Sequence, residues 1–373
     1  MAHVLGRIPS GQPEAELWMG AHPKCPSPLV HEVNGSTDLL QLLEREPKLA
    51  AGSLPYLFKV LSADKPLSLQ CHPNAQQAEL GFARENEKGL PPDAAQRNYK
   101  DPRHKPELIM ALTDFSALCG FLSYERILSR LQHYRLDDLL PRCRAFQEQP
   151  GEQTLAELFA SLFDLSVGDR ERTVRRVLGR ARLDIQEANS RSKLGGWLVK
   201  MEREYGPDPG VLAAILLNLV QLRPGEALFL PAGVLHSYLG GTGLEIMAAS
   251  DNVLRGGLTP KHVDVPELLS ILTFRPYELA LATARTVQYQ PGAHLTTFMT
   301  PVPDFQLSVV NITTGASYTS AGPDVLLTLD GMVQVESEGQ RQTLRKGEQI
   351  FCGAGAQYTV TGSARFAKAS VNQ

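Results

Sequence analysis

The stretch PGEALFLPAGVLHSYL, residues 224–239, reads as a strand, a tight turn and a second strand. Pro231 fixes one side of the turn, and Gly233 allows the backbone to reverse. In the spacing Gly225-x5-Pro231-x-Gly233-x2-His236, His236 is the first residue after the turn able to face inward. A histidine so placed can hold a metal only in company, so the question passes to the rest of the chain.

Company is offered by SLQCHPNAQQAEL, residues 68–80, which follows the strand-and-turn run LFKVLSADKPL. A strand alternates faces, so Gln70 and His72 point one way and Cys71 points the other, into the core. Glu107, in HKPELIMAL (104–112), adds a carboxylate. Two imidazoles, a carboxylate and an amide oxygen suit zinc or another borderline divalent ion, with one position left for water or substrate. Taken singly, His72 reads more often as a hydrogen-bonded core residue and Gln70 as structural, and Glu107 can serve simply as the partner of Lys105. The set gains weight because all four lie beside apolar, strand-like segments.

The chain has 373 residues, 43% hydrophobic and 21% charged, an ordinary globular composition with room for several compact units. A net charge of −3 gives no default attraction to nucleic acid or to an anionic membrane. Cys25, Cys71, Cys119, Cys143 and Cys352 are odd in number and widely spaced, against both a disulfide framework and a thiolate zinc site. The N-terminus lacks the apolar core of a signal peptide, so the expected location is cytoplasmic. VLAAILLNLVQL (211–222) is too short to span a bilayer and predicts a buried helix.

Residues 1–121 are rich in Pro and Gly with short strand-like pieces. Residues 122–222 change to helical periodicity: Leu155, Leu158, Phe159, Leu162 and Phe163 share one face, and the basic run GDRERTVRRVLGRARL predicts a solvated helix face. Strands return from 223, and the C-terminal Gly-punctuated strands suit a small sandwich or barrel. Arg223–Phe229 and Arg345–Phe351 share an R-x-G-E-x-x-F phrase, a faint long-range duplication.

The 225–236 spacing resembles the second motif of the cupin superfamily, whose turn projects a His into a barrel. That pattern continues with a polar residue four positions on, where this chain has Gly240. AELWMGAHP (15–23), LFKVLSADKPLSLQCHPN (57–74), HKPELIMAL, ALCGF (117–121), PGEALFLPAGVLHSYL and SDNVLRGGLTPKHVDV (250–265) run in the order of one family. On these motifs the chain resembles type I mannose-6-phosphate isomerases (phosphomannose isomerases). The resemblance implies one zinc per chain on Gln70, His72, Glu107 and His236, and an active-site arginine at Arg255 near Asp251. It also implies a pocket lined by Lys105, Ser68, Glu245 and Lys261. It further implies a mainly β chain with a helical lobe. A cupin-type barrel or jelly roll would be formed by 1–121 and 223–285, around helical 122–222, and 286–373 would form a cupin-like β domain. Family members start with a strand carrying a Tyr-x-Trp-Gly phrase, and this chain starts beyond it, so that strand and part of an aromatic wall are expected to be missing.

The implied reaction interconverts mannose 6-phosphate and fructose 6-phosphate through a cis-enediol. Such chemistry needs a Lewis acid for the carbonyl, a cation such as Arg255 against developing negative charge, and a base. Lys105, two residues before Glu107, faces the same way in a strand and suits either the base or phosphate binding. Asp251 and His22 are rival bases. Ser68 and Lys261 match phosphate oxygens. Glu245, an acid amid apolar residues, is expected to be paired or functional. Trp18 and Met19 read as core packing and Glu16 as approaching the pocket. The C-terminal β region has no His in its strands suited to a metal site and reads as a metal-free cover. A monomer acting on a small sugar phosphate is the default expectation. The rival classes are a non-catalytic or weakly active sugar-phosphate-binding cupin, kept open by the absent first strand, and a metal-dependent oxygenase, which would draw more His ligands from one motif.

Overall fold

A computed structural model describes residues 1–137, 139–140, 142–187 and 192–372. The first half holds β1 (Glu16–Met19), β2 (Pro28–Val33), β3 (Ser36–Asp38), α1 (Leu39–Arg45), β4 (Tyr56–Ala63), β5 (Gln70–Cys71), α2 (Ala75–Glu87), β6 (Glu107–Ala111) and β7 (Phe115–Phe121). Helices α3 (Tyr124–His133), α4 (Cys143–Glu148), α5 (Glu152–Ser161), α6 (Val167–Gln186), α7 (Ser192–Tyr205) and α8 (Pro209–Ala213) follow. The chain then returns to sheet with β8 (Leu217–Leu222), β9 (Ala227–Leu230), β10 (His236–Ala248) and β11 (Leu254–Arg255), and continues into α9 (Val265–Ile271). The remainder forms β12 (Ala284–Gln290), β13 (Ala293–Phe298), β14 (Gln306–Ile312), β15 (Gly315–Thr319), β16 (Asp324–Ser337), β17 (Gln340–Arg345), β18 (Gln349–Cys352) and β19 (Gln357–Ser370). The architecture is thus mainly β, with a helical lobe between β7 and β8.

The long strand β10 is the spine of the first sheet. Its second half pairs with β4 and β6, and its first half pairs with β5 and β7. Alternation decides what each face carries. On β4, Tyr56, Phe58 and Val60 pack outward against Phe305, Leu307, Val325 and Leu327 of the second sheet, together with Leu108, Met110, Leu244 and Ile246. The opposite faces of β4 and β6 place Leu61, Ile109 and Ala111 in an inner core with Phe115 and Tyr238. Strands covered on both faces read as near-continuous apolar runs, which is why ELIMA is buried throughout. Each large side chain so buried contributes about 1.5–3 kcal/mol.

The helical lobe buries Leu155, Leu158, Phe159 and Leu162, as the periodicity predicts, with Phe163 packed alongside. In α6 the buried stripe is Thr173, Val174, Val177, Leu178 and Ala181, leaving most of its arginines on the other side. The run 211–222 departs from expectation: α8 and a short 3-10 turn end at Leu216, and β8 takes the rest. Asn218 explains the change. Its amide donates to the carbonyls of Cys119, Gly120, Phe121 and Tyr277, at 3.1–3.2 Å. The first three carbonyls lie where the β7–β8 register shifts, so the polar residue inside the apolar run fastens the β7 edge.

The shared R-x-G-E-x-x-F phrase is one turn used twice. Arg223 N–H donates to the Glu226 carboxylate (2.8 Å) and Glu226 N–H donates back to the Arg223 carbonyl (3.0 Å). Arg345 and Glu348 repeat both bonds at 2.7 and 2.9 Å. Gly225 and Gly347 both adopt positive φ, 91° and 85°, and strands β9 and β18 follow. Gly240 also has a structural reason: a Cβ there would sit 2.8 Å from the ring of Trp197 on α7. Gly240→Ala is therefore expected to cost about 1–3 kcal/mol by forcing α7 off the sheet. Denaturant unfolding checks this, and an unchanged midpoint would show that Trp197 yields freely.

Candidate metal centre and adjoining cavity

Register brings the site together. Gln70 on β5 lies opposite His236 of β10 on one side and Arg255 of β11 on the other. Glu107 opens β6 beside Met247 and Leu230. The Glu107 carboxylate lies 3.2 Å from His72 Nε2 and 3.5 Å from His236 Nε2, and Gln70 Nε2 lies 3.3 Å from His236 Nε2. Cys71 is buried on the opposite side and its thiol is pushed well up by burial. The four predicted ligands therefore converge, with His72, Glu107 and His236 each only 1% exposed.

The imidazoles are oriented from behind. His72 Nδ1 lies 2.8 Å from the carbonyl of Asn252, and His236 Nδ1 lies 2.9 Å from that of Val234. A carbonyl only accepts, so in each neutral ring Nδ1 carries the proton and the Nε2 lone pair faces inward. His72 Nε2 and Glu107 Oε2 are buried without a hydrogen-bond partner. Such orphaned atoms cost about 1–3 kcal/mol each, and a cation bound among them would satisfy both. Burial, with the Lys105 charge adding to it, lowers the His72 pKa to about 4, so the ring is neutral and able to ligate at neutral pH. For Glu107, burial opposes ionisation, but the Lys105 charge outweighs it and holds the carboxyl well below its usual range. Among the described residues, His72, Glu107 and His236 are the group of His, Cys, Asp and Glu side chains close enough to share one metal ion.

Beside this cluster opens a cavity of about 360 Å³, lined by Gln70 and Glu107 and also by Glu16, Lys59, Ser68, Lys105, Tyr238, Glu245, Arg255 and Lys261. Lys105 Nζ lies 2.8 Å from Glu107. Arg255 is half-buried, and no ion pair to Arg255 or Lys261 occurs among the described residues, so both charges are available to an anion. Lys59 is the main residue that sequence reasoning missed. It pairs with Glu245 at 3.0 Å, both nearly buried, and reaches towards Glu16 at 4.0 Å. Burial would lower the Lys59 pKa, but Glu245, Glu16 and Glu107 more than offset it and hold the ammonium above its ordinary value. Burial raises the Glu245 carboxyl, and Lys59 pulls it back. The available signal was a lone charge inside the otherwise apolar strand YLFKVL.

Other predicted residues sit elsewhere. His22 and Asp251 line a second cavity of about 500 Å³, with Lys24, Lys100 and Arg103 on its wall. Asp251 is engaged there by His22 (3.3 Å) and Lys24 (2.5 Å), whose hydrogen bonds overcome burial and hold it well below its usual range. Asp251 thus lines the second cavity, paired with His22 and Lys24, and is not on the wall of the metal-side cavity. Trp18, expected in the core, instead shares the Glu16 face: its indole donates to Glu16, Lys59 lies 5.2 Å from the ring centroid and His22 packs edge-on at 4.7 Å. Met19 alone of that pair is core. The C-terminal strands do carry one histidine, His294 on β13, and it is exposed.

Residues 1–124 match the family described as phosphomannose isomerase type I, catalytic domain, and residues 294–371 match the mannose-6-phosphate isomerase cupin domain. The mannose-6-phosphate isomerase of Escherichia coli (strain K12) is 40% identical over 96% of this chain and 92% of its own length. The chain belongs to the type I phosphomannose isomerase family. It is accordingly an isomerase. The human mannose-6-phosphate isomerase is 32% identical over 94% of this chain and 86% of its own. A zinc-bound crystal structure of mannose 6-phosphate isomerase superimposes with TM-score 0.88 at 36% identity, over 100% of this chain and 95% of that one. The catalytic-domain match ends just beyond β7, so the predicted ligand His236 and the cation Arg255 lie outside it, on strands that return after the helical lobe.

Proposed function

We propose that the chain is a zinc-dependent isomerase that interconverts mannose 6-phosphate and fructose 6-phosphate through a cis-enediol, acting as a cytoplasmic monomer. The reading rests on one observation above all: two inward Nε2 atoms and a buried carboxylate meet, with polar atoms left unpartnered, at the wall of a cavity rich in cations. Gln70, His72, Glu107 and His236 would hold zinc, the Gln70 amide presenting its oxygen by turning over. Zinc would supply Lewis acidity for a sugar carbonyl and its neighbouring hydroxyl oxygen.

The chain's own groups do the rest. Arg255 and Lys261, with no ion pair among the described residues, and the Ser68 hydroxyl bind the phosphate and offset negative charge that develops on the sugar oxygens. Lys105, as its free amine, takes the proton from C2 of the open-chain aldose while water protonates O1, giving the enediol. The resulting ammonium returns that proton to C1 while O2 gives its own proton back to water, giving the ketose. Its position against Glu107 favours it over Asp251 and His22, which face the second cavity. Glu245 and Lys59 orient sugar hydroxyls. Residues 1–121 and 223–285 are read as the catalytic unit, 122–222 as the helical insert up to the return into β8, and 286–373 as the metal-free cover.

The test is a coupled assay of mannose 6-phosphate conversion on protein stripped with chelator and then re-supplied with zinc. Activity should fall to background and return with one equivalent. Protein that binds zinc and sugar phosphate without turnover would instead be a binding protein.

A further inference from the structure

Asn252 is fully buried, and each of its polar atoms is engaged. Its carbonyl accepts from His72 Nδ1 at 2.8 Å. Its side-chain oxygen accepts from the backbone N–H groups of Lys100 (2.7 Å) and Asp101 (3.2 Å). Its amide nitrogen donates to the carbonyls of Asp101 (2.7 Å) and Arg103 (2.8 Å) and approaches the Asp101 carboxylate at 3.4 Å. Its own N–H donates to Ser250 Oγ, which in turn donates to the Arg103 carbonyl. One side chain therefore carries the segment 100–103, and that segment leads directly into Lys105 and Glu107.

We infer that Asn252 is the positioning residue of the metal centre, setting the His72 ring and the approach of Lys105 and Glu107 from a single anchor. The carbonyl that selects the His72 tautomer belongs to a residue immobilised by its own amide, and the amide's partners are the backbone that delivers the carboxylate ligand. Loosening the amide shifts ligands on β5 and β6 together, whereas loosening any one neighbour shifts a single ligand. Outer partners of this kind control metal affinity by about 10–100-fold when removed.

This inference rests on the proposed metal site, and the experiment separates the two. Zinc affinity is measured by competition with a chromophoric chelator for the wild-type chain, Asn252→Asp, Asn252→Ala and Asn98→Ala. Asn252→Asp keeps the acceptor for Lys100 and Asp101 but loses both donors, so it tests the anchor if the alanine variant does not fold. Asn98 precedes Lys100 on the same loop and bonds Asp264 at the start of α9 (2.9 Å), so it controls for loop loosening alone. The expected result is a fall of about 10–100-fold for the Asn252 variants and none for Asn98→Ala. If Asn252 acts only on stability, the melting temperature drops while zinc affinity stays at the wild-type value, and the inference is overturned. A wild-type chain that binds no zinc overturns the metal reading itself.

Discussion

Glu107→Gln should lower zinc affinity by at least ~100-fold, more than loss of an orienting contact, because it removes the only anionic member of the proposed ligand set. The same change should destabilise the metal-free protein. Glu107 is the counter-ion of Lys105 at 2.8 Å, both within the interior, and it also faces His72 and His236. Removing one member of a buried pair leaves the other charge uncompensated, typically at about 3–5 kcal/mol. The two effects separate in a double variant. Lys105→Met in the Glu107→Gln background removes the stranded ammonium and should recover much of the unfolding free energy, since coupled neighbours are strongly non-additive. It should recover none of the zinc affinity. Urea unfolding of metal-free protein and chelator competition measure the two separately. If Glu107→Gln kept wild-type zinc affinity, the carboxylate would not be a ligand.

The parts of this arrangement that could be read in advance were those governed by local rules. Strand alternation placed Gln70 and His72 together and Cys71 behind them. The Pro-x-Gly turn delivered His236, and amphipathic spacing marked the buried face of α5. What escaped prediction depends on partners distant in the chain. Whether VLAAILLNLVQL becomes helix or strand is settled by carbonyls of β7 that only the fold brings to Asn218, so tertiary context overrides local preference. Asp251 and Arg255 are four residues apart, yet they serve different cavities because β11 starts between them. Trp18 looked like core because it is large and apolar. Alternation from Met19 would have turned it to the opposite face, beside Glu16.

Lys59→Met should lower turnover by about 10²-fold if Lys59 and Glu245 orient the substrate's hydroxyls, because a misplaced substrate loses its near-attack geometry. It should also cost about 3–5 kcal/mol, because Glu245 is left buried with no cation at its 3.0 Å contact. The more telling variant changes both residues. Replacing a buried ion pair by apolar residues of similar size is commonly neutral or stabilising by about 1–4 kcal/mol. Lys59→Met with Glu245→Leu would also extend the inner apolar face already built by Leu61 and Ile109, so it should unfold at or above the wild-type denaturant midpoint. Its activity should nonetheless stay as low as that of Lys59→Met. That combination, a better core with a dead site, is what a pair retained for chemistry predicts. A pair retained for folding predicts the reverse, a double variant that is less stable while kcat/KM per folded molecule remains near wild type. The position of the pair favours the first outcome. Lys59 and Glu245 face each other across β4 and β10 in register, on the stretch where the inner face of the sheet changes from Leu61, Ile109 and Ala111 to charged groups around the cavity. The neighbouring positions Leu61, Ile109 and Ala111 on that face are apolar, whereas a cavity that must grip sugar hydroxyls needs charge.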